Sequence, residues 1–302
     1  MQKIELHCEI SGLRLDVFLA QQIESHSRAF LRQLIDEQAV RVNGQPAKAS
    51  LKTQVGQVIV VELPDPVDSA ITAQDIPLVV RYEDDYLLVI DKPQGMVVHP
   101  APGHADGTLV NALLNYCQGA LSDLNGVRRP GIVHRIDKET SGLLLVVKDN
   151  TIHRDIADKI RHHEVRRTYQ ALVYGQVTTE QGTIDAPIGR DPKNRQKMAV
   201  VAGGKPAVSH FRVVERLEKA TWLEIELETG RTHQIRVHCQ FIGHPIVNDP
   251  VYATGRLFKS TSGQVLHASR LVFKHPVTGQ EVCVESPMPD YFRAALDTFR
   301  AR

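Results

Sequence analysis

The sequence predicts an α+β fold, with a mixed, largely antiparallel central sheet and flanking helices. Three observations predict it. Strand-like runs outnumber helical ones, and several neighbouring runs are close enough to be hairpins. The chain also has no internal repeat, low-complexity tract or Gly-rich phosphate loop. At 302 residues, about two domains are expected.

Composition narrows the function classes. Hydrophobic residues make up 42% and charged residues 24%, as in a soluble globular protein. No apolar run approaches the ~18–20 residues of a membrane span, and the first residues lack the apolar core of a signal peptide. A cytoplasmic protein with no membrane partner is expected, with monomer as the default. Cys8, Cys117, Cys239 and Cys283 are scattered without a Cys-x-x-Cys pair, which indicates neither a disulfide framework nor a zinc site. His99, His104 and Asp106 match no ligand pattern, so no metal and no cofactor is expected. The net charge of +1 argues mildly against a nucleic-acid protein, whose usual footprint is strongly basic. Two basic clusters, Arg161 to Arg167 and Arg190 to Lys197, read by themselves as solvated faces.

The elements follow in order. Leu15, Phe18 and Leu19 repeat at helical spacing, and Ser27 is placed to cap a second helix with Phe30, Leu31, Leu34 and Ile35 on one side. Arg28 and Arg32, four apart, share another face. Val40 to Val42, an Asn43-Gly44 turn and the strand-like Val58 to Val61 complete a small module over 1–64. Its arginines, with Arg41 and Lys48 by the turn, could meet phosphates without reading sequence; ordinary solubilising charge is the other reading. Residues 65–74 read as a linker, being proline-rich and polar at their start.

A larger domain, 75–302, begins with a strand over Tyr86 to Ile90 and a turn at Asp91 to Gly95. Thr108 then caps a helix over Leu109 to Tyr116. The apolar run Leu143 to Val147, opened by Gly142, reads as a buried strand. Asp149 to Glu164 is a broken amphipathic helix with Ile152, Ile156 and Ile160 on one face. Pro187 to Ala207 reads as an exposed basic loop, and His210 to Val214 with Trp222 to Leu227 as an antiparallel pair. Asn248 suits a left-handed turn, Leu266 to Leu271 the last core strand, and Asp290 the cap of a terminal helix.

Two strings carry chemistry. In the first, His134-Arg-Ile-Asp137, the carboxylate of Asp137 sits on a short polar loop before a core strand. There it is rigid yet reachable, which suits a nucleophile or general base. Taken alone, Asp137 is better explained as a surface aspartate in an ordinary turn. The second string, Gly230-Arg-Thr-His-Gln-Ile-Arg236, is dense in donors and lies far along the chain.

Together these strings resemble the RluA family of pseudouridine synthases, most closely its large-subunit rRNA synthase D type. Ile136 stands where the family's H-R-L-D signature has leucine, a swap that conserves apolar volume. Val165 to Gly175 resembles the family's K-x-Y strand, with Arg167 for the lysine. The H-P-x-x-G-D-x-x-Y string is matched by Gly243 to Tyr252, with Asn248 for the glycine. The small module resembles an S4 RNA-binding domain, which implies RNA contacts by Arg28, Arg32 and Arg41.

The resemblance implies that Asp137 starts the isomerisation of uridine to pseudouridine. It implies that Arg231 is the ion-pair partner of Asp137, and that Tyr169 stacks on the freed uracil and assists loss of the C5 proton. Ile235 becomes the floor under the base. Arg135 fills the space the flipped base leaves, and Arg167, His233 and Arg236 contact RNA or support the site. The implied partner is large-subunit rRNA or a ribosomal precursor particle, with the helix 69 loop as target. The reaction needs no redox change and no cofactor. Three other readings stay open: a non-catalytic S4-type ribosome-assembly protein, a family member acting on another rRNA site or tRNA, and an aspartyl-phosphate enzyme. The last is disfavoured because Glu139 breaks the D-K-T-G-T spacing.

Overall fold

The computed structural model describes residues 2–23, 26, 28–63, 71–101, 103–124, 130–194, 197–253 and 263–300. The chain forms two compact units, Met1–Thr72 with Leu121–Gly131, and Ala73–Ala120 with Ile132–Arg302.

In the first unit, β1 (Gln2–His7) precedes α1 (Leu15–Gln22) and α2 (Arg28–Asp36), then β2 (Val40–Val42), β3 (Gln45–Pro46) and β4 (Val58–Leu63). The sheet order is β1-β4-β2-β3, antiparallel throughout. Asn43 and Gly44 have φ of 50° and 80°, the paired left-handed geometry of a tight hairpin turn. Leu15, Phe18, Leu19, Leu31, Leu34 and Ile35 pack on Val40, Ile59 and Val61. The expected cap Ser27 and most of the expected linker lie outside the described residues. Strand β1 had no reading in the sequence.

The second unit is built on β5 (Val79–Glu83), β6 (Leu87–Lys92), α3 (Leu109–Tyr116), β7 (Ser141–Val147), α4 (Asn150–Arg161), β8 (Arg166–Tyr174) and β9 (Gln181–Asp185). It continues through β10 (Ile188–Arg190), β11 (Met198–Val200), β12 (Val208–Arg216), β13 (Ala220–Leu227), α5 (Gln234–Phe241), β14 (Leu266–Lys274), β15 (Glu281–Glu285) and α6 (Asp290–Arg300). The large sheet runs β5-β6-β7-β14-β8-β13-β12-β9, with β15 on β14, and its only parallel pair among the described residues is β7 with β14. The fold is α+β with a mixed, largely antiparallel sheet, as the sequence predicts.

Several local expectations are sharpened. Thr108 caps α3 through a reciprocal box with Asn111. Helix α4 is continuous, its Asp149 accepting from Thr151 N. Asn248 has φ 61°. Pro187 to Ala207 is not a loop: it closes into the β10–β11 hairpin, and Lys197 donates to Val251 O. Asp290 is the first residue of α6, where its carboxylate accepts from Arg293.

All seven residues of β7 are buried, and they fix the segment just before it. At Gly142, where β7 meets β14, φ is +109° and a Cβ would lie 2.2 Å from Ala268 O, so only glycine fits.

Candidate active site

Asp137 lies on the loop between Ile132, which bridges Val146, and the start of β7. Four groups hold that loop. Half-buried His134 accepts the Leu145 N–H on Nε2 at 2.9 Å; burial, helped by the nearby Arg167 charge, pushes its pKa down to about 3 and keeps the acceptor nitrogen bare. Lys92, fully buried, donates to Pro93 O, Met96 O and Lys138 O at 2.8–3.0 Å. Burial pushes it down to about 7, while Glu139 and Asp137 favour its charged form, the form whose three hydrogens match the three carbonyls. Gly95 N also donates to Lys138 O, and Gln94 Nε2 to Glu139 O.

The facing wall is the turn from β13 into α5. Gln234 stitches it: Oε1 accepts from Thr229 Oγ and Arg231 N, and Nε2 donates to Val208 O and Ser209 Oγ. His238, fully buried, bridges Ser209 Oγ and Ala186 O. His233 sits at the N-terminus of α5 in a left-handed conformation, φ 57°. That turn aims Arg236, in the first turn of α5, back at the loop.

Arg236 is therefore the partner of Asp137, and the expectation for Arg231 is corrected. Arg236 Nη1 donates to Asp137 Oδ2 at 2.9 Å, while Nε and Nη2 grip Asp249 Oδ2 and Oδ1 at 2.7 and 2.9 Å. Arg231 lines the same cleft, but its Nε donates to Pro206 O at 2.8 Å. Arg236 is also no surface contact for RNA, since its side chain is 5% exposed. Burial alone would loosen its proton; hydrogen bonds and charge from Asp249 and Asp137 outweigh that and tighten it. Asp249 is wholly buried and also accepts from Val251 N and Tyr252 N. The Tyr252 ring lies under the Arg236 guanidinium, 5.2 Å from Cζ to centroid.

The cleft between these walls is lined by Arg135, Asp137, Arg167, Tyr169, Arg231, His233, Ile235 and Arg236 among others. Tyr169 on β8 and Ile235 on α5 give it apolar surface, and both are nearly buried. Burial raises the Tyr169 phenol pKa above its ordinary value. Arg135 is exposed. Arg167 is buried rather than on an outer face: Nη2 donates to Glu228 O at 3.4 Å, and Nε has no hydrogen-bond partner among the described residues. The arrangement can bind a flat, partly apolar group against a carboxylate held by a guanidinium. No group of three or more His, Cys, Asp or Glu among the described residues is placed to hold a metal ion.

The RNA pseudouridylate synthase family model matches residues 86–241, which span both walls of this cleft, and the S4 domain model matches 13–59. The chain belongs to the RNA pseudouridylate synthase family. A relative from Bacillus subtilis, described as an uncharacterised RNA pseudouridine synthase, is 47% identical over 95% of this chain and 94% of its own. Ribosomal large subunit pseudouridine synthase D of Zymomonas mobilis is 45% identical over 95% of this chain and 94% of its own, and that of Pseudomonas aeruginosa 44% over 98% and 95%. The solved human RNA pseudouridylate synthase domain containing 4 has the same fold, with TM-score 0.59 and 23% identity over 74% of this chain and 93% of its own. The chain is thus an RNA pseudouridine synthase, with an S4 domain at its N-terminal end.

Reasoning from sequence assigned His134, Asp249 and Tyr252 no role in the site. For Asp249 a signal existed: a carboxylate two residues after the apolar Pro245 to Val247 run has to find a charged partner if it is buried.

In the S4-matching unit the three arginines differ. Arg28 donates through Nε and Nη2 to buried Asp16, which Arg14 also grips. Burial would raise the Asp16 pKa, and the two guanidiniums lower it overall. Arg32, exposed, has only a long contact to Asp36 at 3.9 Å, and Arg41 reaches Gly44 O at 3.5 Å. Arg32 and Arg41 therefore fit phosphate contact better than Arg28.

Proposed function

We propose that this synthase isomerises uridine in large-subunit rRNA, in the helix 69 loop, acting in the cytoplasm. The support for rRNA is its likeness over nearly the whole chain to relatives described as ribosomal large subunit pseudouridine synthase D. In this reading residues 1–64 hold RNA, 65–74 link, and 75–302 carry the chemistry.

The single observation that carries the mechanism is the Asp137–Arg236 pair, set at the cleft beside Tyr169 and Ile235. The target base must leave its stack to reach it. Asp137 initiates cleavage of the bond from N1 to C1′, by attack or by taking a sugar proton, with Arg236 fixing its orientation. The freed uracil turns between Tyr169 and Ile235, and stacking there is worth roughly 1–3 kcal/mol. C5 then bonds to C1′, C5 loses its proton and N1 gains one. Arg135, at the rim, enters the space the base vacated.

The test is tritium release from large-subunit rRNA carrying 5-³H-uridine. Wild type should release tritium, and Asp137→Asn should not while still binding the RNA. Normal turnover by Asp137→Asn would remove the catalytic assignment. Release from tRNA alone would keep the enzyme and change the substrate.

A further inference from the structure

The guanidinium of Arg167, on β8, is the group in the cleft with the fewest partners. The residue is 4% exposed, yet no carboxylate pairs with it among the described residues. Glu228 offers it only a carbonyl oxygen, 3.4 Å from Nη2, and sends its own carboxylate to His210 Nε2 at 2.6 Å. Asp137 is committed to Arg236. Arg167 Nε has no hydrogen-bond partner among the described residues, and neither has Nη1. A Cβ at Gly230 would lie 2.9 Å from Nη1, so the missing side chain there leaves room for the guanidinium in the cleft wall. An uncompensated buried charge is costly, and one that lines a cleft is placed to meet an anion that enters it.

The isomerisation creates such an anion. Whether Asp137 attacks the sugar or takes a proton from it, the N1–C1′ bond breaks with both electrons going to N1. The freed uracil carries that charge over N1 and its two carbonyl oxygens. C5 next bonds to C1′ and loses its proton, and N1 gains one; no oxidant or reductant takes part. Arg167 and Tyr169 are two apart on β8 and so face the same side, toward the base. Beside the apolar surface of Tyr169 and Ile235, a fixed donor aimed at developing charge is worth far more than in water. An RNA phosphate is the other anion at hand, and exposed Arg135 and half-buried Arg231 are better placed to meet it than buried Arg167.

Resting on the function proposed above, we propose that Arg167 Nη1 donates to a carbonyl oxygen of the departing uracil and stabilises the charge that builds on the base as the N1–C1′ bond breaks. Asp137 then serves the sugar side of that bond and Arg167 the base side. Gly230 is a positioning residue, because it leaves the guanidinium its place. Lysine at 167 would keep the charge and lose the planar fork.

Arg167→Met, Arg167→Lys and Gly230→Ala are compared with wild type in single turnover on large-subunit rRNA made with uridine or with 5-fluorouridine. The rate is read as appearance of the C-linked nucleoside by mass spectrometry. Fluorine stabilises the uracil anion and so lessens the need for the guanidinium. On uridine RNA, Arg167→Met should lose about 10²–10³-fold in rate, the usual worth of one such donor, and Arg167→Lys less. On 5-fluorouridine RNA the loss should shrink several-fold, while RNA affinity and its salt dependence stay as in wild type. Gly230→Ala displaces Nη1 at a backbone angle open to alanine. It should show the same pattern in milder form, and it decides the matter if Arg167→Met does not fold. An equal loss on both RNAs, a rate near wild type, or weaker binding with a shallower salt slope overturns the proposal. Silence from the wild type itself on rRNA and tRNA would remove the proposed function and this inference together. An active wild type with an inert Asp137→Asn, and equal losses for Arg167→Met on the two RNAs, removes only the inference.

Discussion

Replacing Arg236 tests the central correction, because the sequence offers two arginines for one partner. Three guanidinium nitrogens make three charge-assisted hydrogen bonds at 2.7–2.9 Å: two to wholly buried Asp249 and one to Asp137. Arg236→Lys keeps the charge but has one nitrogen, which cannot span both carboxylates. With hydrogen bonds to charged groups worth roughly 1.5–3 kcal/mol each, losing two and regaining part through relaxation costs about 3–4 kcal/mol. Arg236→Met leaves Asp249 buried and unpaired, at about 3–5 kcal/mol. The catalytic effect is separate: Asp137 loses its orienting donor, and a displacement near 1 Å is worth about 10²-fold in rate. Urea unfolding gives the first quantity, and single-turnover tritium release under saturating enzyme the second. Arg231→Lys should be milder in both and act chiefly on KM, since among the described residues its guanidinium hydrogen-bonds only to Pro206 O. If Arg236→Lys turned over like wild type while Arg231→Lys were inert, the reasoning from this geometry would be refuted.

Two further perturbations probe the supports of the site and the S4-matching unit. Gly142→Ala forces a Cβ to 2.2 Å from Ala268 O at a backbone angle that L residues avoid, so stability should fall by about 3 kcal/mol or more, read by urea unfolding; an unshifted midpoint would mean β7 and β14 can part at no cost. Arg28→Ala should lower stability by about 1–3 kcal/mol, because buried Asp16 loses a guanidinium. Arg32→Ala should leave stability within about 0.5 kcal/mol and reduce the salt dependence of RNA binding by about one charge; equal effects of the two on unfolding would count against the distinction.

Much of the fold was legible because its signals are local. The apolar run of β7, the box at Thr108 and the Asn43-Gly44 turn each depend on a few consecutive residues. Strand β1 was not legible: Gln2 to His7 alternates weakly, and what makes it a strand is β4, more than fifty residues away. The β10–β11 hairpin was hidden for a related reason. Its Gly, Pro and basic residues read as loop, while its order comes from Ile188 packing with Val237 and Tyr252. The parallel contact of β7 with β14 likewise joins segments about 125 residues apart, and only the glycine at Gly142 hinted that another backbone comes close.

The site was half legible, for a geometric reason. Asp137 and Tyr169 were found through the family resemblance of their strings, and because each sits beside or within a recognisable strand the topology carries them to one cleft. Arg231 and Arg236 are five apart, and which one faces Asp137 depends on where the helix begins and how the chain enters it. Entry is set by one left-handed residue, His233, held by Tyr252 from beyond the far end of α5. Had the helix begun at Arg231, residues 231 and 236 would have lain about 140° apart on it, with no means of knowing which faced inward. With His233 at the cap, Arg231 precedes the helix and turns to Pro206 O, and Arg236 falls in its first turn. The same residue therefore aims the guanidinium that orients Asp137, so the position of the initiating group depends on how the chain enters α5.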